Sequence, residues 1–117
     1  MISKSDLRLL ALMLEKINRL LLIVTNYSRE EIEQDFLLSD SIQFEFEKLY
    51  EDSARLSQEF NLFYKGKLHV DDLRAIRNRV AHDYESVSLR ILIKTIKEDL
   101  PTIKQELETI INKQEVK

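Results

Sequence analysis

The chain has 117 residues, 44% hydrophobic and 33% charged, with a formal charge of -3. That composition belongs to a globular chain long enough for one core, and any nucleic-acid contact must come from a local basic patch. One glycine, one proline and no cysteine exclude glycine-rich phosphate loops, the many tight turns of a β-sandwich or barrel, disulfides, thiolate zinc sites and a cysteine nucleophile. The residue balance predicts an all-α chain, with residues 1–117 as a single domain. The first predicted helix covers about Ser5 to Thr25, where Leu7, Leu10, Leu14, Ile17, Leu21 and Val24 recur at helical spacing. Leu9, Leu12, Leu20 and Ile23 widen that face, so this helix is expected to be buried on more than one side, central in a bundle or shared with a second subunit. It is no membrane span, because Arg8, Glu15, Lys16, Asn18 and Arg19 interrupt it. The start carries Asp6 and leads into no A-x-A-like cleavage site, so no signal peptide is expected. The cysteine-free composition fits a reducing cytosol, and a cytoplasmic location is the expectation.

Asn26 and Tyr27 break the pattern. Ser28 and Glu31 then form an S-x-x-E capping box for a short second helix, Arg29 to about Phe36. A third helix is expected from near Asp40, as its cap, to about Asn61, with Ile42, Phe46, Leu49, Ser53, Leu56 and Phe60 inward. Asn61 to His69, with Gly66, Lys65 and Lys67, reads as the longest loop. A fourth helix starts after Val70, turns Leu73, Ile76 and Val80 to the core and ends around His82 to Ser86. A fifth runs from about Val87 through Ile91 and Ile96. Pro101 removes one helical hydrogen bond and kinks or restarts it. Thr102 to Asn112 is amphipathic through Ile103, Leu107 and Ile110, and Lys113 to Lys117 reads as a frayed tail. The expected architecture is an up-down bundle of four to five helices.

Two histidines are present. His69, beside Lys67, reads as a solvated loop residue without a partner. His82 lies in a stretch rich in cations and hydrogen-bonding groups: Arg74, Arg77, Asn78, Arg79, His82 and Tyr84. On a regular helix Arg77 and His82 are about 140° apart, so they do not share a face, though both can edge one concave surface if the helix loosens near His82. Tyr84 joins His82 only if the helix ends near His82. The plain alternative is a cation-rich, solvated helix end. The pairs Asp71-Asp72 and Glu30-Glu31 read as favourable charge at helix starts. No histidine has a glutamate three residues before it, so a four-helix di-iron site is not expected. His82, Asp83 and Glu85 point apart on a helix, so no metal is expected there. Phe44, Phe46, Tyr50 and Phe60 are assigned to core packing, with Phe63 and Tyr64, beside Lys65 and Lys67, as the exceptions suited to base stacking.

Arg77-x-x-x-x-His82-x-Tyr84, with Asn78 directly after the arginine, resembles the signature of the HepT-like toxins of the HEPN superfamily. The context is similar too: DDLRAIRNRVAHDYESV is followed by IKEDLPTIKQELE, a motif helix and then a last helix broken at Asp99-Leu100-Pro101. The resemblance covers about Leu7 to Ile111. It departs from the family at Glu85, where an aromatic is frequent, and at Ser88, where an acid is frequent. It implies a HEPN-like bundle and a homodimeric ribonuclease toxin that uses no metal or other cofactor and acts on RNA. It further implies a type VII pair with an MntA-like minimal nucleotidyltransferase antitoxin, which in some systems attaches AMP to the motif tyrosine, here Tyr84. The expected catalytic residues are Arg77 and His82, and the expected substrate-binding residues Asn78, Arg79 and Tyr84. The chemistry of these side chains agrees. RNA brings its own nucleophile, the 2′-OH. An imidazole titrates near neutrality and serves as base or acid, and a guanidinium grips two phosphate oxygens at once. One motif histidine per chain favours a dimer, which brings two imidazoles to one cleft. The competing expectation is a non-catalytic helical subunit that binds a nucleotidyltransferase. RNA cleavage by the pure protein in chelator separates the two.

Overall fold

A computed structural model describes residues 2–82 and 86–115, and for 80–82, 86–88 and 115 the backbone alone. Among the described residues there are seven α-helices and no strand. They are α1 (Lys4–Asn26), α2 (Arg29–Gln34), α3 (Phe36–Ala54), α4 (Gln58–Phe63), α5 (Asp72–His82), α6 (Ser86–Glu98) and α7 (Leu100–Glu115), with one 3-10 turn at His69–Asp71. The all-α bundle expected from the sequence is the observed architecture. No described helix is long and apolar enough to cross a membrane.

Helix α1 is the central post, packed against α3, α6 and α7. Leu10, Met13, Ile17 and Leu20 are fully buried along it, each worth roughly 1.5–3 kcal/mol of removed apolar surface. The buried stripe is rotated from the expected one. Leu9, Met13 and Leu20 lie inside, whereas Leu7, Leu14 and Leu21 are only half-buried. The periodicity allowed either seam, and contact with three neighbouring helices selected this one.

Polar contacts fix how α3 lies along α1. Lys16 donates to Asp52 at 2.6 Å, and Arg19 pairs with Glu45 at 3.4 Å. Beyond the end of α3, buried Asp6 accepts from the Ser57 amide at 2.9 Å and from its hydroxyl at 2.5 Å. Burial alone would raise the Asp6 pKa, but the Ser57 hydrogen bonds outweigh it and hold the carboxyl below its ordinary value.

Three boundaries differ from expectation. Helix α3 starts at Phe36 rather than near Asp40, because Asp35 supplies the cap, accepting from the Leu37 and Leu38 amides. Phe36 and Leu37 are exposed, so this first turn carries no periodic signal. The same helix stops at Ala54 rather than Asn61. Ser57 caps a new helix, α4, and the apolar stripe through Leu56 and Phe60 runs unbroken across the join. The loop after α4 is correspondingly shorter. It turns at Gly66, whose φ of +73° is the left-handed conformation that favours glycine. At Pro101 the helix restarts as expected: α6 stops at Glu98, and the Ile103 amide donates to the Asp99 carbonyl in the first turn of α7.

Candidate functional site

The cation-rich stretch folds as α5. Buried Leu73 and Ile76 root it against the core, and it packs on α3 and α6. Those anchors turn Arg74, Asn78 and Arg79 to solvent and leave Arg77 half-buried.

Helix α3 holds Arg77. The guanidinium carbon stands 4.8 Å from the centre of the Tyr50 ring. Nη2 is 3.7 Å from Glu47 Oε1, and Nη1 donates to Asn78 Oδ1 at 3.3 Å. Glu47 and Tyr50 are three residues apart, so they share one flank of α3, next to the buried positions Phe46 and Leu49. The aromatic face supports the planar cation. The Glu47 pair is long and partly exposed, and such pairs are weak. A phosphate can therefore displace Glu47 while the ring still fixes the guanidinium plane. Arg77 and Asn78 are in this way brought together with two residues that the motif does not contain.

The sequence marks neither Glu47 nor Tyr50 as a site residue and assigns Tyr50 to core packing, whereas the structure leaves it half-buried against Arg77. Their one signal was a Glu-x-x-Tyr spacing beside the core stripe, and nothing local relates it to an arginine 27 residues further on. Arg79 is exposed on α5, but no described contact joins it to Arg77. The backbone of α5 is described to His82, whereas the His82 side chain and the whole of Tyr84 lie outside the described residues.

His69 has a partner that the sequence did not show. Its backbone N–H donates to Glu106 Oε1 at 2.9 Å, and its Nδ1 lies 2.7 Å from Glu106 Oε2. The Glu106 carboxylate raises the imidazole pKa above the usual 6.5, with further help from the charges of Asp72 and Asp99. The ring itself stays exposed, as expected of a solvated residue.

The aromatic residues divide differently from expectation. Phe46 and Phe60 are core. Phe44 is not: it is 61% exposed, under Lys48 Nζ at 5.3 Å. Phe63 is exposed below Lys67 Nζ at 5.1 Å, and half-buried Tyr64 packs against both Phe60 and Phe63.

Comparison with known proteins places this geometry in context. A sequence model described as ribonuclease HepT-like matches residues 13–110. A relative from Thermococcus cleftensis (strain DSM 27260 / KACC 17922 / CL1), named probable ribonuclease HepT, is 29% identical over 101 residues. That alignment covers 83% of this chain and 91% of the relative. No solved structure matches. The family match runs from the middle of α1 to near the end of α7, through the α5 stretch that carries Arg77, Asn78 and His82, and the chain belongs to the HepT-like ribonuclease family.

Proposed function

We propose that this protein is a metal-independent endoribonuclease, the toxin of a toxin–antitoxin pair, working as a two-fold dimer whose motifs face one cleft. The observation that carries the reading is the held Arg77 guanidinium, supported on Tyr50 and Glu47 within the matched family segment. In the proposed reaction the 2′-OH attacks the adjacent phosphate and the 5′-oxygen leaves. One His82 accepts the proton of the 2′-OH, and the partner's His82 protonates the leaving oxygen. Arg77 binds the non-bridging phosphate oxygens and stabilises the charge that grows on them. Asn78 and Arg79 hold flanking RNA, and the Tyr84 hydroxyl contacts phosphate.

The proposed silencing partner is an MntA-like minimal nucleotidyltransferase that attaches AMP to Tyr84. A tethered phosphodiester close to Arg77 and Arg79 would compete with RNA phosphate at an effective concentration of about millimolar or above.

The test is RNA cleavage by the purified chain in EDTA. Cleavage is expected to persist in chelator and to fall about 10²- to 10⁴-fold in His82→Ala, with a comparable loss in Arg77→Ala. Cleavage that stops on chelation, or that survives His82→Ala, overturns the mechanism. Co-expression with an MntA-like nucleotidyltransferase is expected to add the mass of AMP at Tyr84. A silenced but unmodified chain would point to steric capping instead.

A further inference from the structure

We infer that the groove between α3, α4 and α5 beside Arg77 is a nucleotide subsite that selects a base carrying an amino group, cytosine before uracil. The inference rests on the ribonuclease reading above and adds which part of the RNA the groove takes. The groove encloses about 300 Å³, at the lower end of the range that ligand sites occupy. Tyr50 and Ser53 of α3, Asn61 of α4, Asp71 of the 3-10 turn and Arg74 of α5 supply its polar lining.

Two observations place it on the RNA path. Tyr50 is a shared wall, since it lines the groove and also lies against the Arg77 guanidinium. A phosphate on Arg77 and a group in the groove are then neighbours across one ring. Arg74 and Arg77 are three residues apart on α5, so they lie on the same side of the helix about one turn apart. A strand with one phosphate on Arg77 meets a second guanidinium at Arg74.

The polar capacity left inside the groove decides which base fits. The Ser53 hydroxyl donates to the Tyr50 carbonyl at 2.7 Å, and Asn61 Nδ2 donates to the Leu56 carbonyl at 3.3 Å. Their oxygens remain as acceptors, and Asp71 adds a carboxylate. Arg74 and the second N–H of Asn61 bring donors to the lining, whereas Asp71 is its one anionic group, so the Asp71 side disfavours phosphate and favours a donor. Phosphate is therefore left to the Arg74 side, where the guanidinium is exposed. The exocyclic amine of cytosine is such a donor and pairs well with an aspartate, whereas uracil presents a carbonyl at the same place.

The test measures binding separately from cleavage. Fluorescent 2′-O-methyl RNA hexamers cannot be cut through a 2′-OH, and their affinity for the full chain is read by anisotropy. Oligo-C is expected to bind about tenfold tighter than oligo-U. Asp71→Asn is expected to bring the two within about threefold. Arg74→Ala is expected to weaken both by about tenfold and to lower the salt slope by about 0.7, and Arg74→Lys to recover most of the loss. Asp71 and Arg74 are exposed, so these variants leave the core untouched. Equal binding of oligo-C and oligo-U by the wild type, or unchanged binding by Arg74→Ala, overturns the subsite. Cleavable hexamers that bind as expected yet are never cut would overturn the ribonuclease reading and leave the subsite standing. Cutting with no effect of Arg74 or Asp71 on binding would do the reverse.

Discussion

Arg77 carries the charge that the proposed reaction needs, but its geometry belongs to α3. A guanidinium on a flexible stem loses much of its value if it must be ordered during binding, and stacking on Tyr50 at 4.8 Å reduces that cost in advance. Such a contact is worth about 0.5–2 kcal/mol, or roughly a few-fold to thirtyfold in rate. Tyr50→Leu is therefore expected to lower kcat on a dinucleotide by about tenfold, and Tyr50→Phe to restore most of it, because the ring and not the hydroxyl supports the cation. Tyr50 then acts as a positioning residue, seen in kcat on the shortest substrate, whereas Arg74 acts on KM for longer ones. An unchanged kcat for Tyr50→Leu on the dinucleotide, with an unchanged melting temperature, would remove Tyr50 from this role. Glu47→Gln is expected to matter less, since its ion pair is long and partly solvated.

The helices are held together by a few polar contacts laid over an apolar core. Asp6 secures the start of α4 through Ser57, and Glu106 secures the turn before α5 through His69. The His69 contact makes stability depend on pH near neutrality. The Glu106 side chain favours the protonated imidazole in the folded chain and raises its pKa above 6.5. The folded state thus holds a proton that the unfolded state gives up first. The stabilisation is complete below about pH 6.5 and is lost as pH rises through the higher folded value. Thermal melts at pH 5.5 and 8.5 test this. The wild type is expected to lose more of its melting temperature between them than His69→Gln does. Equal losses in the two proteins would mean that the Glu106 contact contributes nothing to the folded state.

At the scale of the whole molecule, several large apolar side chains among the described residues stand outside the core. Leu22, Phe36, Leu37 and Phe44 are each more than 60% exposed, and Leu7, Leu14 and Leu21 form a half-buried ridge on α1. Apolar surface of this kind, on a chain with one motif histidine, supports a symmetric pair. Light scattering at micromolar concentration is expected to give about twice the chain mass of 13.9 kDa. A stable monomer would remove both the dimer and the composite cleft.

Much of this protein is legible in its residue pattern because helices are local objects. Apolar periodicity, the Ser28–Glu31 capping box and the restart at Pro101 depend on neighbours a few residues apart; the capping box and the restart are found where the sequence puts them, and the periodicity gives helices although the buried stripe of α1 is rotated. The motif around Arg77 is legible for the same reason, as a short run that resembles the signature of a known family. Contacts across the bundle are not local. The apolar stripe through Leu49, Leu56 and Phe60 looks like one helix, and the Asp6–Ser57 contact, 51 residues apart in the chain, joins the local Ser57 cap where it divides in two. The pairing of Arg77 with Tyr50 and Glu47, the tie of His69 to Glu106 and the groove that Asp71 and Arg74 line together join side chains that periodicity treats as unrelated. Sequence spacing determines which residues share a face of one helix. Which faces then meet is decided by packing the whole core at once.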